Sequence, residues 1–111
     1  VNNSIEKVHK DAASKEDIFR WLVKKTKNNK IPIIWVFQYQ KDITKNMIED
    51  RIFLKELLNK EQVEFIDTYD YLHGEKSNFE KNELWNHHHT YLGNSQVCKS
   101  ILNYFQKSNR L

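Results

Sequence analysis

The sequence predicts an α/β fold with parallel strands flanked by helices, and three observations predict it. Ile31 to Phe37 (Ile-Pro-Ile-Ile-Trp-Val-Phe) is a near-continuous apolar run rich in β-branched residues, as in a strand buried on both faces of a parallel sheet. Val63 to Ile66 is a second short run, ending at Asp67. Helical patterns precede, separate and follow the two. The order helix, strand, helix, strand, helix implies right-handed βαβ geometry in a layered domain.

Taken in order, Val1 to Ala13 is polar and has no sustained periodicity. Ser14 then offers an N-cap with Asp17 at the third helical position. Ile18, Phe19, Leu22 and Val23 follow at helical spacing, Lys24, Lys25 and Lys27 suit the C-terminal end of the dipole, and Asn28-Asn29 stops the helix. Pro32 is tolerable at the start of a strand, where a missing N–H does not interrupt the ladder. Thr44 to Asn59 reads as the second helix, its apolar face made by Met47, Ile48, Ile52, Leu54, Leu57 and Leu58. Tyr69 to Glu83 reads as a long polar loop containing Gly74. Leu92 to Gln106 reads as the last helix, with Val97, Ile101, Tyr104 and Phe105 along one side, and Cys98 and Leu102 beside them. A single cysteine excludes an intramolecular disulfide, and its position reads as a small core residue.

Composition narrows the partners. At 111 residues the chain is at most one small domain. Eighteen basic residues lie among fifteen acidic ones at a net charge of +3. That is a mixed surface, and it argues against a nucleic-acid partner, which needs basic residues concentrated on one face. No run of about 18 apolar residues is present, so no transmembrane segment is expected. Two strands buried on both faces need more neighbours than three helices provide. Together with a first residue that is Val rather than Met, this predicts a partial domain. An N-terminal half or a partner subunit would complete the sheet.

The stretch that carries chemistry is Trp85 to Asn94, Trp-Asn-His-His-His-Thr-Tyr-Leu-Gly-Asn, which holds three of the five histidines and one of the two glycines. A histidine-rich polar loop feeding a helix is a good place for a general base, because imidazole takes and returns a proton near neutral pH. Three adjacent imidazoles point in different directions and chelate one ion poorly, so no metal and no cofactor are expected. Trp85, Tyr91, Tyr69, Tyr71 and Phe79 surround the loop, either as a platform for substrate or as packing.

His88-His89-Thr90-Tyr91-Leu92-Gly93-Asn94, followed by Val97, Cys98, Ile101 and Phe105, resembles the last sequence block of the SGNH (GDSL-like) hydrolases. In that family an Asp precedes a His by two or three residues. A Ser, Thr or Asn stands two after the His, a Gly five after it, and a helix follows. The resemblance makes His88 the catalytic base, Thr90 the polar residue two on, and Gly93 the helix-entry glycine. It departs at the acid: Asn86 stands two before His88 and Trp85 three before. Asn86 can accept a hydrogen bond from the imidazole but offers no negative charge, which implies a Ser-His dyad or a weakened triad. Asp67 or Asp70, at the end of the second strand, is an alternative acid, and His89 is an alternative base. Val1-Asn2-Asn3-Ser4 is similar to the end of the family's oxyanion block, which would make Asn2 an oxyanion donor and residues 1–13 a remnant of that block.

The implied fold is the C-terminal portion of a three-layer, flavodoxin-like SGNH domain spanning residues 1–111. The implied activity is ester cleavage or acyl transfer on an acylated small molecule, carbohydrate or lipid, with Trp85 and Tyr91 beside the substrate. No Gly-Asp-Ser is present, so the chain carries the base and not the nucleophile, and alone it is expected to be inactive. The alternative is a non-catalytic α/β module that has lost the catalytic residues and binds a protein or a glycan.

Overall fold

The computed structural model describes residues 14–111. Asn2 and the rest of the N-terminal block therefore lie outside the described residues. The elements are α1 (Lys15–Lys27), β1 (Trp35–Phe37), α2 (Lys45–Lys60), β2 (Phe65–Asp67), α3 (Tyr69–Leu72), α4 (Lys81–Leu84), β3 (Trp85–Asn86), β4 (His88–His89) and α5 (Tyr91–Lys107). β1 and β2 pair in parallel, with Trp35 opposite Phe65, Val36 opposite Ile66 and Phe37 opposite Asp67. The chain is thus broadly α/β. Among the described residues no helix is long and apolar enough to cross a membrane.

The chain divides into two compact units. The first contains residues up to Ile34 and Glu49–Glu64. Ser14 begins α1 as expected: its hydroxyl accepts from the Asp17 amide and donates to the Asp17 carboxylate. Phe19 meets Phe53 at 6.2 Å, with the Arg20 guanidinium over the Phe53 ring. Lys15 pairs with Asp50, and Lys27 with Glu61. Val23, Leu54, Leu58 and Val63 are buried. α2 ends in a Schellman turn. The Val63 amide donates to Leu58 O and the Gln62 amide to Asn59 O, with Gln62 left-handed at φ 59.

The second unit contains Trp35–Ile48 and Phe65–Leu111. Here both strands of the parallel sheet, the two short helices, the hairpin β3–β4 and α5 surround Phe37, Tyr39, Ile66, Leu72, Leu84, Trp85 and Val97. The ends of β1 and β2 are tied together by Thr68, whose amide and hydroxyl both donate to Phe37 O.

Four expectations are corrected. The first strand is three residues, not seven. The Ile31 amide is turned into a short loop by the Asn29 side chain, and Pro32 has no N–H to give a ladder. It is also not buried on both faces: Phe37 is covered while Val36 is 38% exposed, the alternation of a strand with one covered side. The stretch Tyr69 to Glu83 is not a loop throughout. It forms α3 and α4, single turns held by local contacts from the Asp67 carboxylate to the Tyr69 amide and from the Glu83 carboxylate to the Glu80 amide. One turn is too short for a hydrophobic period to reveal it. Finally, Cys98 is exposed, because the buried stripe of α5 is Gly93, Gln96, Val97 and Ser100. Small and polar residues face inward there because α5 approaches backbone: Gln96 donates to Tyr71 O and Ser100 to Asp67 O.

Candidate functional site

The site is built at the carboxyl ends of the parallel strands, where open α/β sheets collect their chemistry. β2 ends at Asp67. Its Oδ1 accepts from the Tyr39 hydroxyl at 2.8 Å and from the Tyr69 amide at 3.0 Å. Tyr39 lies two residues beyond the end of β1 and is buried. One hydrogen bond therefore joins the exits of both strands.

The hairpin β3–β4 supplies the histidines. Trp85 stands opposite His89 and Asn86 opposite His88, with His87 alone at the turn with φ 65. A left-handed conformation on a residue with a side chain costs about 1–2 kcal/mol, so the surroundings must hold this turn. Directly opposed residues share a face. Trp85 and His89 consequently face inward, while Asn86, His87 and His88 are exposed.

Each inward ring is placed by contacts. His89 Nε2 lies 3.2 Å from Tyr39 O, and His73 Nε2, at the end of α3, lies 2.8 Å from Gln40 O. A carbonyl only accepts, so both imidazoles carry their proton on Nε2 and leave Nδ1 unprotonated in the neutral ring. Trp85 is stacked on His73 at 4.8 Å and inclined to His89 at 5.5 Å. Tyr69 stacks on His73 at 5.7 Å and meets the Tyr39 ring edge-on at 5.3 Å. Burial holds His73 below the ordinary histidine range, against the opposing pull of its Gln40 hydrogen bond, with Lys81 adding to the depression.

The hairpin is joined rigidly to α5. The Thr90 hydroxyl caps the helix by accepting from the Gly93 amide and donates back to Glu83 O, and the Thr90 amide donates to Leu84 O. Gly93 sits against that same Leu84 carbonyl.

Comparison with protein-family models, with curated proteins and with solved structures returns no match.

Among the residues singled out from sequence, His88 is exposed on β4. Its imidazole has no hydrogen-bond partner among the described residues, and Asn86 lies opposite it without a side-chain hydrogen bond between the two. Trp85 is 5% exposed and forms part of the ring cluster, whereas Tyr91, at the first position of α5, is 86% exposed. Asp70 is exposed on α3. Among the described residues no group of three or more His, Cys, Asp or Glu side chains is arranged to hold a metal ion. Tyr39 and His73 were not identified from sequence as members of the site. Their hydrogen-bond partners are 28 to 50 residues away, and no spacing rule links them. The inward turn of His89 had one legible signal, the period-2 pairing with Trp85, but it required a turn at His87, where no glycine marks one.

Proposed function

We propose that this chain is the C-terminal part of an SGNH-like α/β hydrolase or acyltransferase, acting on an ester of a small molecule, carbohydrate or lipid. The fold that this reading carries is a three-layer domain of parallel strands between helices. The observation that supports it best is His88. It stands exposed two residues before the N-cap of a 17-residue helix, with an imidazole that has no hydrogen-bond partner among the described residues, while His89 and His73 are committed to backbone carbonyls. His88 would take the proton of a serine hydroxyl as that oxygen attacks the ester carbonyl, then return it to the leaving alcohol. Hydrolysis and acyl transfer differ only in whether water or an acceptor alcohol attacks the acyl-enzyme.

The nucleophile in this reading comes from an N-terminal half or a partner subunit that completes the sheet. The described serines are otherwise placed: Ser14 caps α1, Ser77 donates to Phe79 O, Ser95 and Ser100 lie within α5, and Ser108 ends it. One observation favours the second reading, a non-catalytic protein- or glycan-binding module: the residue opposite His88 is Asn86, and no carboxylate pairs with His88 among the described residues.

The test is turnover of p-nitrophenyl acetate by the natural protein and its His88→Ala variant across pH. The hydrolase reading expects a loss of roughly 10²–10⁴-fold and disappearance of the limb that reports deprotonation of a base. Unchanged turnover in the variant would sink it in favour of the binding module.

A further inference from the structure

We propose that His73 and His89 form a clamp that positions the hairpin, and through it His88, by gripping two consecutive carbonyls at the exit of β1. This rests on the reading of His88 as a base for the last step of its logic, but its geometry stands independently.

Three observations carry it. First, the two donors come from different elements, His73 from the end of α3 and His89 from β4, yet they bind adjacent residues, Gln40 and Tyr39. Second, Trp85 contacts both rings, stacked on His73 and inclined to His89, and its buried Nε1 has no hydrogen-bond partner among the described residues. An indole whose N–H is unpaired has no directional bond to fix it, so packing against the two imidazoles sets its orientation. Trp85 is the first residue of β3, and its orientation fixes that of the strand paired with His88 and His89. Third, the turn of the hairpin is held at a strained φ on His87, which relaxes unless both strands are anchored. His89 anchors β4 directly, and His73 anchors β3 through Trp85. Tyr39, gripped by His89, is itself fixed to Asp67 at the end of β2, so the clamp refers the hairpin to the sheet. His73 and His89 are thus positioning residues and not catalytic ones.

The experiment has two arms. In the first, long-range 15N NMR of the full chain reads the tautomers, and the intraresidue HN–Hα NOE of His87 reads its positive φ. The expected result is an Nε2–H tautomer at both His73 and His89. His89→Leu, which deletes the donor, loses the strong NOE at His87, while His89→Gln, which keeps an N–H donor at similar reach, retains it. An Nδ1–H tautomer at His89 in the unmodified protein, or a positive φ at His87 that survives in His89→Leu, would overturn the clamp. The tautomer measurement keeps the clamp open to refutation even if His89→Leu does not fold, because an Nδ1–H tautomer at His89 excludes a donor to Tyr39 O at Nε2.

The second arm measures p-nitrophenyl acetate turnover by the natural protein. His89→Leu is expected to lower kcat about 10- to 100-fold with KM within about twofold, since misplacing a base by an ångström has effects of that order. His89→Gln is expected to recover most of the loss. Equal kcat in His89→Leu and the unmodified protein would overturn the positioning role. Turnover that is indifferent to His88→Ala removes the hydrolase reading instead, and the NMR arm then decides the clamp by itself.

Discussion

The Tyr39 hydroxyl donates to the Asp67 carboxylate at 2.8 Å, and this bond spans the carboxyl ends of the two parallel strands. Tyr39 is buried and Asp67 is half-buried. A hydrogen bond to a charged group in such surroundings contributes about 1.5–3 kcal/mol. Tyr39→Phe preserves the ring contacts with Tyr69 and His73 and removes only the hydroxyl. Urea unfolding should show a loss of about 1–2 kcal/mol, because the carboxylate keeps its bond from the Tyr69 amide. No change in the midpoint would mean that the bond does not tie the strands.

Gly93 tolerates no side chain. A Cβ there would lie 2.3 Å from Leu84 O and 3.1 Å from the His89 Cβ. The obstacle is backbone, which cannot rotate away as a side-chain tip can. Gly93→Ala should destabilise by about 1–3 kcal/mol, as overpacked sites do. It should also shift the amide resonances of Leu84 and His89 in an NMR spectrum. A variant with unperturbed hairpin resonances would contradict this packing.

Thr90 couples the hairpin to α5 through one hydroxyl that accepts from Gly93 N and donates to Glu83 O. Thr90→Ala should cost about 1 kcal/mol or somewhat more, the ordinary value for a lost N-cap. Thr90→Ser keeps the hydroxyl and should recover most of it. Thermal melts of the three proteins decide the matter.

Gln62 offers the opposite opportunity. Its left-handed φ of 59 closes the Schellman turn of α2, a conformation that glycine adopts without penalty. Gln62→Gly should raise stability by about 0.5–1 kcal/mol, the left-handed strain being partly offset by the greater backbone freedom of glycine in the unfolded chain. A lower denaturation midpoint would refute the assignment.

The depressed pKa of His73 gives the fold a pH dependence of defined sign. Burial disfavours the imidazolium, so between the lowered native value and the ordinary 6.5 the unfolded chain binds more protons than the native one. The contribution of this residue is fully present above about pH 6.5 and declines as pH falls through that value toward the native pKa. Stability measured by urea titration from pH 8 to pH 5 should therefore fall. His73→Gln, which does not titrate, should fall less. Parallel curves would exclude His73 as a source of the dependence.

Local chemistry determined what could be read from the sequence alone. Ser14 and Asp17 mark the start of α1, the apolar runs mark β1 and β2, and the alternation of helices with strands gives the α/β class. Gly93 and the amphipathic pattern after it mark the entry to α5, so a histidine-bearing segment ahead of a helix was visible as well, while the Thr90 cap was not. These signals act within a turn or two of chain, which is why they survive without knowledge of the fold.

Only the tertiary structure decided which histidine faces which way. His89 turns inward and His88 outward because Trp85 pairs with His89, and because a carbonyl 50 residues away in sequence accepts from His89 Nε2. His73 entered the cluster through Gln40, 33 residues distant. Cys98 turned outward because α5 lies close against backbone, which put Gln96 and Ser100 beside Val97 on its inner face. Such placements depend on what another part of the chain presents at the same point in space. Periodicity and capping, which report on one segment at a time, carry no record of it.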